Sequence, residues 1–436
     1  MPDLPPEILM EVFSYCCLPS QSYYRLQKSP ALSLIQVCQE WRSIALRMNE
    51  LWASFALRLP SLTGSTTVEQ NLLELLSLHL ARSNSHPLSI DVDIDNSPNC
   101  SLSEAGLQYI ILLCQHSRRW FDVKLPINHT TLPLLTSHLS GSLPCLESLH
   151  LRLDGAIGKG SHGAPFFANH ATNLRKLVLL CSMPFDLPLP TVQLTEMHLG
   201  AAATMALLQI IDNGAWPCLT ILHLNPYYQL KSSDGPPRLL PRLKKLIIAL
   251  RDSYNRNPII DLLDSLQTPV LESFEVWGLR GIILPRHSFV CFMQRASCKI
   301  THLRVTFQDS LTTSNLLHNL RTLPMLSHLG IFALGSEAMN TAADILQALT
   351  ISSSSDYLLP HLTSFELQIA SFLTILLDMV ESRLAPRDNF SPIQCVACHN
   401  SPPTTDSARL AALTKQGVVL LWPPRERPRK NAIFML

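Results

Sequence analysis

The chain has 436 residues, of which 47% are hydrophobic and 15% are charged. Globular proteins usually carry about 25% charged residues, so a large share of this chain is predicted to be buried. The 34 basic and 33 acidic residues nearly cancel, which argues against nucleic acid or an anionic membrane as the main partner. No apolar run approaches the roughly 18 residues of a membrane span.

The cysteines give no sign of a disulfide framework. All 12 are scattered without regular spacing, and the start of the chain lacks the basic and apolar regions of a signal peptide. We expect reduced, core-packed thiols in a cytoplasmic or nuclear protein. Cys395 to His399 match the haem-attachment string, but export is not indicated and no second ligand pair follows. We therefore expect no metal or other cofactor.

Three short helices are predicted between Leu4 and Phe55. Pro5 and Pro6 suit the start of the first, because the amide hydrogen that proline lacks has no helical partner there. The first helix has an apolar face made by Ile8, Leu9, Val12 and Phe13. The second has a similar stripe made by Leu34, Val37, Cys38, Trp41 and Ala45. A unit of about fifty residues cannot easily bury both faces alone, so the surplus face needs a partner.

These residues resemble an F-box. The blocks LPPEILMEVF, VCQEWRSIA and ELWASF follow in the family's order and at about its spacing. The resemblance implies a helical module at 1–57 that docks on the Skp adaptor of an SCF-type cullin–RING ubiquitin ligase. By matching position, the adaptor contacts would be Leu4, Pro5, Ile8, Leu9, Val12, Val37, Cys38 and Trp41. Residues 19–30 lack the family's acidic-leucine step, and the alternative is an ordinary helical cap on the next domain.

Residues 58–86 are predicted as a linker and a connecting helix, Val68 to Ser83. The segment Leu88 to Ile94 alternates apolar and polar residues, which predicts a strand. Its outward Asp91 and Asp93 imitate the start of a calcium loop together with Asp95. The turn glycine and the closing glutamate of such a loop are missing, so these carboxylates are predicted to line a solvated strand.

From here on the unit Leu-x-x-Leu-x-Leu recurs. Nine copies begin at positions 146 to 362, spaced 20 to 36 residues apart, and Trp120 begins a tenth. Several returning segments are predicted as helices: Met205 to Ile211, Ile259 to Leu266, Leu311 to Leu320, Ala338 to Leu349 and Phe372 to Arg383. A strand and a helix at near-constant period predict a leucine-rich-repeat solenoid, in which each unit buries its leucines against its neighbours.

The predicted fold class is thus α/β, with a short all-α F-box module followed by an irregular leucine-rich-repeat solenoid, an α/β horseshoe, over 87–422. A cap closes it, with strands at 392–396 and 418–422 and a helix at 406–415 that stops at Gly417. The tail 423–436 is predicted to be flexible. The family's Asn or Cys after the last leucine is missing, so no side-chain ladder is expected between neighbouring turns. Fungal F-box proteins with degenerate repeats look similar.

The remaining motifs are better explained by structural roles than by ligand binding or catalysis. Gly158 to Gly163 match a dinucleotide-binding string, but Pro165 stands where a helix should start, which favours a loop. The basic run Arg425 to Lys430 is read either as a nuclear signal or, in preference, as a solvated tail. No motif for a serine or cysteine nucleophile appears. The chain is therefore not predicted to be an enzyme.

The inner face of the repeats is the predicted target site. The residue between the last two repeat positions points outward there. This rule selects His150, Val178, His198, His223, Ile247, Glu275, Arg304, Gly330 and Glu366, and their neighbours include Lys245, Trp277 and Phe332. This mixture suits protein recognition, with Trp277 and Phe332 as anchors. His198 and His223, on adjacent strands, are either a zinc-binding pair or, in preference, solvated.

Two functions remain open. The first is the substrate receptor of a cullin–RING ubiquitin ligase, which holds the adaptor by the F-box and an unknown target protein by the solenoid. Such a receptor raises the effective concentration of target lysines near the ubiquitin-carrying enzyme. The second is a protein-interaction scaffold outside ubiquitination that uses the same modules.

Overall fold

The computed structural model describes residues 4–15, 24–59, 66–94, 104–127, 131–139, 141–153, 170–181, 192–200, 216–225, 237–250, 258–278, 285–307, 313–333, 336–351, 357–368, 373–384, 390–399 and 406–422. The chain forms two compact units, unit 1 at 1–197 and unit 2 at 198–436. The predicted string Gly158 to Gly163, the helix Met205 to Ile211 and the tail 423–436 lie outside the described residues.

Unit 1 begins with a helical module. Its α-helices are α1 (Pro6–Tyr15), α2 (Pro30–Leu34) and α3 (Gln39–Arg47), with 3₁₀ turns at Leu26–Lys28 and Asn49–Trp52. Their inner faces form one core, made by Leu9, Phe13, Ala31, Leu34, Ile44, Ala45, Met48, Leu51 and Trp52. The buried indole N–H of Trp52 donates to the Ala45 carbonyl at 2.9 Å, so the large ring is packed without leaving its polar atom unpaired.

The second predicted helix is two helices. Cys38, between α2 and α3, has an extended backbone with φ −156° and ψ 173°. Its Sγ accepts a hydrogen bond from the Trp41 amide at 3.4 Å. Cys38 therefore caps α3 by satisfying an amide that has no helical partner, and the continuous stripe predicted from Leu34 to Ala45 is wrong.

The module runs directly into a sheet. Strand β1 (Ser54–Leu59) begins before the predicted boundary at residue 57. It pairs with β2 (Leu88–Ile94), and the Ala56 amide donates to the Tyr24 carbonyl at 2.7 Å. Helix α4 (Thr66–Arg82) confirms the predicted connecting helix. Its buried His79 lies 5.0 Å from the Trp52 ring and 5.7 Å from the Phe55 ring, which ties α4 to the module.

Unit 1 then continues as parallel strand–helix units. Strands β1 to β5 pair in chain order, with β3 (Trp120–Ile127), β4 (Ser148–Leu153) and β5 (Lys176–Cys181) following β2. Helices α5 (Glu104–Gln115) and α6 (Thr131–His138) connect β2 to β3 and β3 to β4. Parallel neighbours need such crossovers, because a tight hairpin can join only antiparallel strands. Strand β6 (Glu196–Leu199) contains the boundary between the units.

Unit 2 repeats the parallel arrangement. Its main sheet pairs in chain order through β7 (Ile221–Leu224), β9 (Lys245–Leu250), β11 (Ser273–Gly278), β12 (His302–Phe307), β13 (His328–Ala333), β14 (Ser364–Leu367), β15 (Cys395–Cys398) and β16 (Val419–Leu421). Two short strands, β8 (Arg238–Leu239) and β10 (Leu266–Gln267), pair separately. Every described neighbour pair in unit 2 is parallel, as the repeat predicts.

The helices of unit 2 lie between these strands. They are α7 (Pro258–Ser265), α8 (Arg286–Ala296), α9 (Thr313–Arg321), α10 (Ser336–Leu349), α11 (Leu373–Ser382) and α12 (Ser407–Lys415). Five of them confirm the helices predicted in the repeats and the cap, and α8 was not predicted. Gly417 ends α12 with φ +88°, a left-handed conformation that suits glycine.

The repeat positions are the core. Each of the nine copies supplies three side chains, and every one of them is 4% exposed or less. In unit 2 these side chains face the helices. The Phe274 ring, for example, lies 5.9 Å from Phe289 and 6.5 Å from Phe292 on α8. Alternation along each strand then leaves the intervening residues on the opposite side, the open face of the sheet.

Side chains do join neighbouring strands, so the expectation of no ladder is wrong. The rungs are the hydroxyl groups of residues that directly follow the first leucine position of a repeat. Thr301 donates to the Glu272 carbonyl at 3.3 Å, Ser327 to the Thr301 carbonyl and Thr363 to the Ser327 carbonyl, both at 3.2 Å. These hydroxyls stand at the start of the strand, whereas the family's asparagine position follows it.

Arginines supply a second kind of tie, between helices. Arg383, after α11, is 1% exposed, and its guanidinium donates to the carbonyls of Leu349, Leu358 and Leu359 at 2.8, 2.6 and 3.0 Å. Arg295 on α8 similarly reaches the Leu263 carbonyl at 2.5 Å. Both satisfy carbonyls at the end of an earlier helix, which lack helical partners.

Candidate functional site

The first candidate surface is the exposed apolar side of the helical module. Ile8 and Val12 lie one turn apart on α1 and are exposed, whereas Leu9 and Phe13 on the neighbouring side of the helix belong to the core. The predicted contacts that the structure places in solvent are apolar and 44–58% exposed: Leu4, Ile8, Val12 and Val37. Pro5 and Cys38 are exposed as well. Apolar groups of this size in water are the typical mark of a protein-interaction surface.

Two other predicted adaptor contacts lie elsewhere. Leu9 is 4% exposed and belongs to the module core, so its side chain is not on the outer surface. Trp41 is half-buried against the core, with its ring edge-on to Phe13 at 5.0 Å between centroids. A carboxylate at position 9 would therefore disrupt the module itself, and substitution of Leu9 does not test docking.

The second candidate surface is the open face of unit 2. Strand pairing aligns His223, Ile247, Glu275, Arg304, Gly330 and Glu366 in one row across β7, β9, β11, β12, β13 and β14. A second row contains Ala249, Trp277, Thr306 and Phe332. The predicted strand register is therefore confirmed, since Val276 is buried and Trp277 is only half-buried.

Charged side chains cross this face as an alternating chain. Lys245 Nζ lies 2.7 Å from Glu275 Oε1, and Arg304 Nη1 lies 3.7 Å from Glu275 Oε2. Arg304 Nη2 then contacts Glu366 Oε2 at 2.5 Å, while Glu366 Oε1 lies 2.6 Å from His399 Nε2. Both oxygens of each carboxylate have a partner, so opposite charges neutralise one another within the face.

Gly330 makes this chain possible. Arg304 on β12 reaches Glu366 on β14 by passing over the intervening strand β13, where Gly330 stands. A Cβ at position 330 would lie 3.1 Å from Arg304 Cγ and 3.2 Å from Phe332 Cε2, tighter than ordinary van der Waals contact. The missing side chain thus opens the path that Arg304 takes.

Two aromatic rings border the charged chain. Trp277 and Phe332 lie 6.5 Å apart between centroids with their planes 14° from parallel. The Trp277 indole N–H donates to Glu275 Oε2 at 3.1 Å, and the Arg304 guanidinium lies 5.4 Å from the Phe332 centroid. Both rings are half-buried and held by charged neighbours, as in a pre-ordered binding surface.

Histidines form two pairs on unit 2. The rings of His302 and His328 stack with centroids 3.9 Å apart, and those of His198 and His223 lie 5.0 Å apart. Burial lowers the pKa of His302 and of His328, and the charge of the other ring lowers that of His328 further. The stacked pair is therefore neutral at pH 7. Among the described residues, no group of three or more potential metal ligands occurs.

A hydroxyl group precedes each ring of the stacked pair. Thr301 Oγ1 and Ser327 Oγ each lie 2.8 Å from the Nδ1 of the following histidine. The same hydroxyls contact carbonyls in the ladder. The histidine pair is thus connected to the hydroxyl ladder through its Nδ1 atoms.

Predicted site residues also occur in unit 1. His150 on β4 is aligned with Lys124 on β3 and with Val178 on β5. Charges are paired on this sheet as well, with Lys124 Nζ 3.5 Å from Asp91 and Arg152 Nη1 3.3 Å from Asp93. Desolvation raises the pKa of Asp91, against the opposing effect of Lys124. These carboxylates pair with cations across strands, as residues of a sheet surface.

Sequence reasoning missed one member of the unit 2 face and the role of another. His399 follows β15, and nothing in its neighbourhood predicts its contact with Glu366 on β14. Gly330 appeared in the predicted outward row, but its use as a passage for Arg304 depends on a contact between strands.

Cys395 and Cys398 lie on β15, where Cys398 is buried and its pKa is raised by burial to about 12. This thiol packs in the core as an un-ionised group.

One feature of the helices and two comparisons with known proteins bear on this architecture. Among the described residues, no helix combines the length and the apolar character needed to cross a membrane. A search of curated proteins found no match to the chain. The family described as F-box-like matches residues 1–58, the helical module and β1. The N-terminal part of this protein is thus an F-box-like domain, which indicates involvement in an SCF-type ubiquitin ligase or in protein interaction.

Proposed function

We propose that this protein is the substrate-receptor subunit of an SCF-type ubiquitin ligase. The F-box-like domain binds a Skp-type adaptor and, through it, the cullin–RING ligase. The parallel strand–helix units form a leucine-rich-repeat solenoid that holds a target protein. The chain itself catalyses nothing: it brings target lysines close to the ubiquitin-carrying enzyme and so raises their effective concentration.

One observation carries the adaptor side of this proposal. The F-box-like domain keeps Ile8, Val12 and Val37 in solvent although its core is complete without them. Exposed apolar side chains cost free energy in an isolated protein, about 25 cal/mol for each Å² left in water. Burial against an adaptor removes this cost, and the domain needs no rearrangement to present the surface.

The test is a substitution on the outer face of α1. Val12→Asp places a carboxylate where an apolar contact is proposed, and burying an unpaired charge is costly. We expect the affinity for a purified Skp-type adaptor to fall at least about a hundredfold, since unpaired interfacial charges cost several kcal/mol. Isothermal titration calorimetry measures this change.

Val68→Asp is the matched control. Val68 is also a strongly exposed valine on a helix of unit 1, but it belongs to α4 and not to the F-box-like domain. We expect the control to bind adaptor like the wild type, and both variants to keep the wild-type circular-dichroism spectrum. Equal adaptor affinity for Val12→Asp and wild type would place the interface elsewhere.

The scaffold function is the competing outcome. A tagged wild-type chain that recovers neither adaptor nor cullin, while it still binds other proteins through the same module, would indicate a role outside ubiquitination. Recovery of adaptor without cullin would also contradict the receptor role. Adaptor and cullin recovered together, and lost together in Val12→Asp, would support it.

A further inference from the structure

We infer that the open face of unit 2 binds an uncharged target segment that carries an aromatic or aliphatic side chain, and that this recognition needs no phosphorylation of the target. The inference rests on the proposed function, because it specifies the chemistry of the target. It names four side chains as the contact surface: Lys245, Trp277, Arg304 and Phe332.

The first argument is the charge of the face. Among the described residues of this face, the cations Lys245 and Arg304 are matched by two carboxylates at 2.5–3.7 Å. Recognition of a phosphorylated or acidic segment uses arginines whose donors are available to the ligand. Here a phosphate would have to displace Glu366 from Arg304, and it would approach two fixed carboxylates. An uncharged segment meets neither obstacle.

The second argument is the burial of Glu275. This residue is 6% exposed, and its carboxylate contacts Lys245, Arg304 and the Trp277 indole N–H. A carboxylate so enclosed is held in place by its partners, since the loss of both cations would leave a buried charge uncompensated. The chain of charges is therefore part of the framework of the face.

The third argument is what the face still offers. The Trp277 N–H already donates to Glu275, so the half-buried indole offers a target apolar ring surface and no hydrogen-bond donor. Phe332 presents a ring bordered by Arg304 and His399 at 5.4 Å from its centroid. Two nearly parallel rings at 6.5 Å provide an apolar surface suited to an aromatic or aliphatic side chain.

The fourth argument is order before binding. Trp277, Arg304 and Phe332 each make contacts with side chains on other strands, so little side-chain entropy is lost when a target binds. Fixing a rotamer-rich side chain at an interface costs about 0.5–1.5 kcal/mol. Pre-ordered aromatic anchors are also the residue types that contribute most to protein-binding affinity.

The experiment is a selection on the full chain bound to a Skp-type adaptor. Two displayed libraries of short random peptides are used, one unmodified and one with a fixed phosphoserine. We expect the unmodified library to yield peptides enriched in aromatic and aliphatic residues without excess acidic residues. Fluorescence polarisation then gives the affinity of the consensus peptide, which should change less than about threefold when the salt concentration is raised tenfold.

Variants locate the binding site. Trp277→Ala and Phe332→Ala should each weaken the consensus peptide at least about tenfold. Tyr357→Ala is the matched control, because Tyr357 is an exposed aromatic residue of unit 2 outside the main sheet. We expect this control to bind within about twofold of the wild type. Circular dichroism checks that all three variants fold.

Several outcomes would overturn the inference. They are enrichment only of phosphoserine or acidic peptides, no enrichment from either library, and consensus binding that survives both Trp277→Ala and Phe332→Ala. Adaptor retention in the same samples separates the two proposals. Peptide selection that succeeds on a chain unable to hold the adaptor would contradict the receptor function and leave this inference standing.

Discussion

At the scale of single residues, burial decides how much an arginine contributes to the stability of the fold. Arg383 and Arg409 both make three hydrogen bonds with side-chain nitrogens, but Arg383 is enclosed with backbone carbonyls and Arg409 lies on the surface with Asp378 and Glu381. Burial lowers the pKa of Arg383 to about 10, so it remains a cation at pH 7. Its charge is retained because three carbonyls surround it.

Arg383→Met should therefore destabilise unit 2 locally. The buried carbonyls of Leu349 and Leu359 would lose their donor, at a cost of about 1–3 kcal/mol for each unsatisfied group. The carbonyl of Leu358, which is only partly buried, would lose its donor as well. We expect the free energy of local opening of α10, whose end carries Leu349, to fall by about 3 kcal/mol or more, measured by native-state hydrogen exchange. Arg409→Met, which removes exposed ion pairs only, should change it by less than about 1 kcal/mol. Equal effects of the two variants would contradict this account.

At the scale of elements, His79 joins α4 to the F-box-like domain. It is fully buried between the Trp52 and Phe55 rings, and its Nδ1 lies 3.4 Å from the Trp52 carbonyl. Burial lowers its pKa from 6.5 to about 4, although the contact with the Trp52 carbonyl opposes the shift. The neutral ring thus packs between aromatic groups at pH 7, and a charged ring would be poorly solvated there.

The sign of the pH effect follows from this shift. Below pH 6.5 the unfolded chain takes up a proton at His79 that the folded chain does not, down to about pH 4. Stability should therefore fall as the pH is lowered from 7 to 5, by about 2 kcal/mol from this residue. Urea unfolding should show that His79→Leu lacks this component, whereas His86→Leu, at an exposed histidine, keeps it. The same pH dependence in His79→Leu and the wild type would be the contrary result.

At the scale of the whole molecule, the two proposed binding surfaces belong to different compact units. The outer face of α1 lies in unit 1, and the face with Trp277 and Phe332 lies in unit 2. Val12→Asp should therefore reduce adaptor affinity alone, and Trp277→Ala should reduce consensus-peptide affinity alone. In the double variant, the loss of affinity for each ligand should lie within about 0.5 kcal/mol of the loss in the corresponding single variant. A coupling free energy above that, by titration of each ligand, would show that the sites communicate.

The sequence by itself determined the alternation of strands and helices in the repeats and the register of the repeat strands. Leucines at positions one, four and six of each repeat permit only one assignment of buried and exposed residues along the strand. A shift of one residue would expose every buried leucine of that strand to water. Trp277 could therefore be assigned to the open face from Val276 alone. The F-box-like domain was likewise predictable as a family, because its three blocks lie within one short stretch of chain.

Only the tertiary structure decided which apolar residues of that domain are surface and which are core. Leu9 and Ile8 are adjacent in sequence and similar in chemistry, but only Leu9 meets α3 and the turn at Trp52. It also decided the charge pairing. Lys245, Glu275, Arg304 and Glu366 come from four repeats, and their contacts depend on side-chain reach across strands and on the space above Gly330. Periodicity fixes which residues share a face, but packing in three dimensions selects their partners.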